Sequence, residues 1–232
     1  TTLDGDMGDL QTAVNQANEA KTTNNYLQAS AYKKDKLNSA VQNAQAVLAA
    51  TGANDSANQV KALTNSVNDA VDALDGDAIN AINTALADKK TAINGTNLTA
   101  EEKSTLVGQA QKLADDAIAN INKATTNDAV KTAKDTGVET INNITVPTTS
   151  ATKDAAKDAI DQAAKTKDDA IDASNLTAEE KADLKKTVAA AANEAKGKID
   201  AATKDADVNT AQKAGEKAIN AVEIPASVSK TD

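Results

Sequence analysis

Asn97-Leu98-Thr99-Ala100-Glu101-Glu102-Lys103 returns as Asn175-Leu176-Thr177-Ala178-Glu179-Glu180-Lys181, a step of 78 residues. The same step carries Ile82 to Ile160, Ile93 to Ile171, Leu106 to Leu184, Ile121 to Ile199, Gly137 to Gly215 and Pro147 to Pro225, with no gap between 78–148 and 156–226. A gap-free repeat is one structural unit built twice. Two copies of a small unit cannot share one large core, and such arrays serve length, spacing or multivalency rather than a single reaction centre.

The residue types decide what each unit is made of. Apolar residues are 40% of the chain, and Ala dominates them. Ala is the strongest helix former and buries little area per residue. Phe, Trp, His and Cys are absent, and only two prolines interrupt 232 residues. Such a chain makes thin, closely packed helical bundles. Without His it lacks the usual general base near neutral pH, and without Cys it has no thiol nucleophile or disulfide. The net charge of −9, with 25 basic residues scattered among 34 acidic ones, excludes a basic stripe for nucleic acid. No catalysis, metal or cofactor is expected. No apolar run approaches a membrane span and no signal peptide is visible. The chain reads as an excised fragment whose signal and anchor lie elsewhere.

Three units follow one another, at 1–76, 77–149 and 150–232. In the first, helices are predicted over 9–21, 28–50 and about 56–74, with a turn at 51–55 and Gly52 at its helix C-terminus. In each repeat three helices are predicted, at 78–94, 100–123 and about 127–144, then at 156–173, 178–201 and 206–222. Thr99 with Glu102 and Thr177 with Glu180 form Thr-x-x-Glu capping boxes. An odd number of antiparallel helices leaves the termini of each unit at opposite ends. The expected fold is therefore all-α, with tandem three-helix bundles end to end as an elongated rod, on the order of 100 Å at ~1.5 Å per helical residue. The joint at 74–78 is expected to be tight or helical, and the joint at 145–153, carrying Pro147, extended.

These residues resemble known modules. The first span, with Tyr26 and its closing Ala70-Val71-Asp72-Ala73-Leu74-Asp75-Gly76-Asp77, resembles a FIVAR module. The two repeats resemble the domain of unknown function 1542, carried by Ala170-Ile171 followed by Ser174-Asn175-Leu176-Thr177-Ala178-Glu179-Glu180-Lys181, and by Gly215 with Ala218-Ile219. Both modules occur in Ebh-type Gram-positive cell-wall surface adhesins. The resemblance implies helical bundles, an extracellular wall-attached location and a monomeric stalk. It also implies an extracellular-matrix partner (fibronectin-like protein or glycan), centred on the first unit in the alternative where that unit binds.

Few residues offer chemistry. Tyr26 and Tyr32 are the only aromatics and the best candidates for ligand contact. Tyr26 is expected to plug a bundle end. Asp4-Gly5-Asp6-Met7-Gly8-Asp9 and Asp75-Gly76-Asp77 lack the spacing and distal Glu of a calcium loop and are expected to be caps and turns. Gly137 and Gly215 are expected at close helix crossings. Of the Asn-x-Thr sequons at Asn97, Asn143 and Asn175, two coincide with the capping turns, so glycosylation is not needed to explain them, and the interspersed Lys and Asp are expected to form a solvated surface.

Overall fold

The computed structural model describes residues 2–50 and 55–226. The predicted turn with Gly52 lies mostly outside the described residues. Ten helices and no strand are found among the described residues. They are α1 (Thr2–Ala20), α2 (Asn24–Leu27), α3 (Ala31–Ala49), α4 (Ala57–Asp72), α5 (Gly76–Asn94), α6 (Ala100–Lys123), α7 (Asn127–Asn142), α8 (Ala151–Asp172), α9 (Ala178–Ala201) and α10 (Asp205–Asn220). The fold is all-α, as the periodicity requires.

The chain divides into two compact units, Thr1–Thr91 with Gly108–Ile144, and Ala92–Val107 with Thr145–Asp232. The first unit holds two cores. Leu10, Val14, Leu37, Val41, Val60 and Val67 close one between α1, α3 and α4. Ile82, Ala110, Ala114, Ile121, Val130 and Ile141 close the other between α5, α6 and α7. The second unit packs Ile160, Ile171, Val188, Ile199, Val208 and Ile219 between α8, α9 and α10. Buried Ala residues take up part of each core, so each core is narrow and each bundle has three main helices.

The two repeat glycines explain the spacing. A Cβ on Gly137 would stand 2.6 Å from Ile82 Cδ1 and against Ala117 Cβ. One on Gly215 would stand 2.7 Å from Ile160 Cδ1 and against Ala195 Cβ. Helices α6–α7 and α9–α10 therefore cross at a distance only glycine permits, and the repeat preserves both sides of the contact.

Several local expectations are corrected. Helix α1 starts at Thr2, so Asp4 to Asp9 is helix and not a capping turn. A Cβ added at Gly5 or Gly8 would meet nothing within 4 Å, so both sit on the open face and cost only propensity. Burial of Leu10, Ala13, Val14 and Ala17 on the inner face outweighs that cost. Thr23 caps an unpredicted single turn, α2, and α3 starts at Ala31, three residues after the predicted start. Helix α8 begins at Ala151, five residues before the predicted start, because Ser150 caps it and Lys153 is buried in its first turn. The extended link after Pro147 is correspondingly shorter. At the other joint, Ala73 to Asp75 separate α4 from α5, and Asp75 is a buried side chain rather than part of a solvated turn.

Candidate functional site

Among the described residues there is no group of three or more His, Cys, Asp or Glu placed to hold a metal ion, and no helix long and apolar enough to cross a membrane. Polar structure concentrates instead at helix starts and at two joints.

At α6 the Thr99 hydroxyl accepts from Glu102 N at 3.3 Å, and Glu102 Oε2 accepts from Thr99 N at 3.0 Å. At α9 Thr177 accepts from Glu180 N at 3.3 Å, and Glu180 Oε2 accepts from Thr177 N at 2.8 Å. These bonds satisfy helix N–H groups that have no intrahelical partner. The two boxes differ in surroundings. Thr99 is fully buried, whereas Thr177 is exposed. Glu102 also reaches across to α8, where its Oε1 accepts from Thr152 N at 3.0 Å. Partial burial pushes the Glu102 carboxyl up. Hydrogen bonds from the Thr152 and Thr99 amides, and from the Ser150 and Thr152 side chains, outweigh that and hold it at about 2. Beside it, Glu101 Oε2 accepts from Asp205 N at 3.0 Å and Ala100 N donates to Thr203 O at 2.8 Å. Lys153, 3% exposed, donates to Asp200 O at 2.8 Å at the end of α9.

The start of α5 forms the second polar cluster. Asp75 is fully buried; its carboxylate accepts from Ser30 N at 3.0 Å and pairs with Lys33 Nζ at 3.0 Å. Lys33, 4% exposed, also donates to Ile121 O at 2.9 Å, the end of α6. Asp77 N donates to Asn25 Oδ1 at 3.1 Å. Gly76 lies against the backbone of 24–29, where an added Cβ would stand 2.7 Å from Asn24 O. The surface reading of Lys and Asp therefore fails at Lys33, Asp75 and Lys153. The repeat register holds a signal for one of them: position 75 is Asp and its repeat partner, 153, is Lys.

The tyrosines are not brought together in one site. Tyr26 is half-buried in α2, packs on the α1–α3–α4 core and shares a hydrogen bond with Asn38. Tyr32 is 66% exposed at the start of α3. It lines an open groove of about 800 Å³ with Lys36, Asp69, Ala70 and Asn122 to Thr125, and Tyr26 is not on that lining.

The FIVAR domain matches residues 6–75, and the Domain of Unknown Function DUF1542 matches residues 76–149 and 152–227. The chain belongs to the DUF1542 family. Its two DUF1542 repeats follow one FIVAR domain. The chain is 34% identical over 156 residues to the extracellular matrix-binding protein EbhA of Staphylococcus aureus strain Newman, covering 62% of this chain and 4% of the relative. The extracellular matrix-binding protein ebh of strain NCTC 8325 matches at 34% over the same length and 2% of its own. The chain thus spans only a few per cent of these relatives. A solved domain of a Staphylococcus aureus protein similar to streptococcal adhesins is 28% identical, covering 59% of this chain and 98% of that one, with a TM-score of 0.32. A solved domain of Staphylococcus aureus EbhA is 24% identical, covering 92% and 78%, also with a TM-score of 0.32.

Proposed function

We propose that this DUF1542 segment is a non-catalytic spacer of a bacterial cell-surface adhesin, built of modules at 1–76, 77–149 and 150–232, that holds a binding region away from the cell wall. The observation that carries the reading is the gap-free 78-residue repeat of a complete helical bundle. The relatives named as extracellular matrix-binding proteins support a surface setting. In that setting the segment works outside the cell as a monomer. Small-angle scattering of the segment tests it. A monomeric particle with a maximum dimension on the order of 100 Å is expected from three bundles of ~36 Å helices in line. A compact particle overturns the reading.

The groove beside Tyr32 favours one second reading, in which the first module holds a matrix protein or glycan. Exposed aromatics with polar neighbours suit such contacts. Binding of the segment to immobilised fibronectin or to matrix glycans, lost in Tyr32→Ala, is the outcome that reading requires. Equal retention on matrix-coated and blank surfaces removes it.

A further inference from the structure

We propose that the two joints are charge-swapped forms of one lock, and that the swap specifies which module follows which. Each joint uses one carboxylate and one buried ammonium for the same two tasks. The carboxylate accepts the N-cap amide of a second bundle helix: Asp75 takes Ser30 N of α3 at 3.0 Å, and Glu102 takes Thr99 N of α6 at 3.0 Å. The ammonium donates to a carbonyl at the end of the next module's middle helix: Lys33 to Ile121 O at 2.9 Å in α6, and Lys153 to Asp200 O at 2.8 Å in α9. In the repeat register those carbonyls lie one residue apart, since Ile121 corresponds to Ile199. Cations are favoured at helix C-termini, and a helix start needs acceptors, so both tasks have a physical basis.

What differs is the side that supplies each charge. At the first joint the preceding module gives the ammonium from the third position of its second helix, Lys33, and the entry to the following bundle gives the carboxylate, Asp75. At the second joint the preceding module gives the carboxylate from that same third position, Glu102, and the entry to the following bundle gives the ammonium, Lys153, which stands 78 residues after Asp75. A Lys33-type end joined to a Lys153-type start would bury two ammoniums and leave the N-cap amide without its carboxylate. A Glu102-type end joined to an Asp75-type start would set a half-buried carboxylate beside a fully buried one and leave the helix end without its cation. Uncompensated buried charge is strongly unfavourable, so the mismatched orders are selected against. The partner that fits a module end is thus a second module whose entry residue carries the opposite charge. The inference concerns module order and stands whether the segment spaces or binds.

The test uses the full 232-residue chain. Lys33→Glu, Asp75→Lys and the double variant are compared by hydrogen exchange at 30–33, 76–79 and 121–124. Each single variant is expected to lose protection there by on the order of 100-fold, as breaking one side of a buried pair does. The double variant, which gives the first joint the arrangement of the second, is expected to recover most of it. The reciprocal set, Glu102→Lys, Lys153→Asp and their double, is expected to lose and recover protection in the same direction at 99–102, 150–153 and 199–203, by a smaller factor because Glu102 is only half-buried. If a single variant unfolds its bundle, recovery of helical circular dichroism in the double is the deciding readout. Double variants no better than the sum of their singles, or singles without effect, overturn the proposal.

Discussion

Glycine has two opposite roles in this chain, and substitution separates them. Gly137 and Gly215 face Ala117 and Ala195 across a helix crossing, with Ile82 and Ile160 closing the gap. Gly137→Ala and Gly215→Ala are expected to lower stability, because overpacking of about 1–3 kcal/mol exceeds a propensity gain of at most about 1 kcal/mol. Gly108 and Gly197 lie in α6 and α9 with nothing within 4 Å of an added Cβ. Their replacement by Ala is expected to raise stability by ~0.5–1 kcal/mol. Denaturant unfolding of the four variants checks both signs. Glu102 gives a prediction in pH. Its folded-state value of about 2 lies below the ordinary 4.5, so the carboxylate stabilises the fold fully above about 4.5 and that contribution disappears as pH falls through about 2. The melting difference between wild type and Glu102→Gln should therefore be constant near neutrality and shrink between those limits. A difference unchanged down to pH 2 is the contrary result.

Helix starts are the elements most legible in the sequence, because their chemistry is local. Thr-x-x-Glu at 99 and 177 needs only four consecutive residues to declare a cap, and each pair is hydrogen-bonded in both directions. Ser56 and Gln59 form a further box at α4, within reach of the same four-residue rule. Less legible are elements decided by distant partners. Helix α1 runs through Gly5 and Gly8 because its other face is buried, which no local propensity reports. Lys33 and Asp75 lie 42 positions apart and meet only after α3 and α5 are placed, so a charge count assigns them to solvent. The caps also differ in expected consequence. Thr177→Ala should cost ~1 kcal/mol, the ordinary value for an exposed cap. Thr99→Ala should cost more, since Thr99 is buried and its partner Glu102 also holds Thr152 N of α8. Chemical denaturation of the two variants, followed by helical signal, ranks them; equal losses would show that the Glu102 bridge adds nothing.

At the scale of the whole chain, the three apolar clusters share no residue: one lies between α1, α3 and α4, one between α5, α6 and α7, and one between α8, α9 and α10. A repeat array with separate cores unfolds by parts, each part having its own stability plus nearest-neighbour terms. Gly215→Ala disturbs only the last cluster, through Ala195 and Ile160. Its effect should therefore be confined: amides of α8, α9 and α10 exchange faster, while those of α1, α3 and α4 keep their protection. Gly137→Ala is the control, loosening α5, α6 and α7 through Ala117 and Ile82. Hydrogen exchange resolved by peptide compares the two variants within one chain. Equal acceleration over all three clusters would mean that the protein opens as a single cooperative body, and the modular account of its stability would then be wrong. Confinement would mean that a lesion in one repeat leaves the others standing, each bundle keeping its own stability.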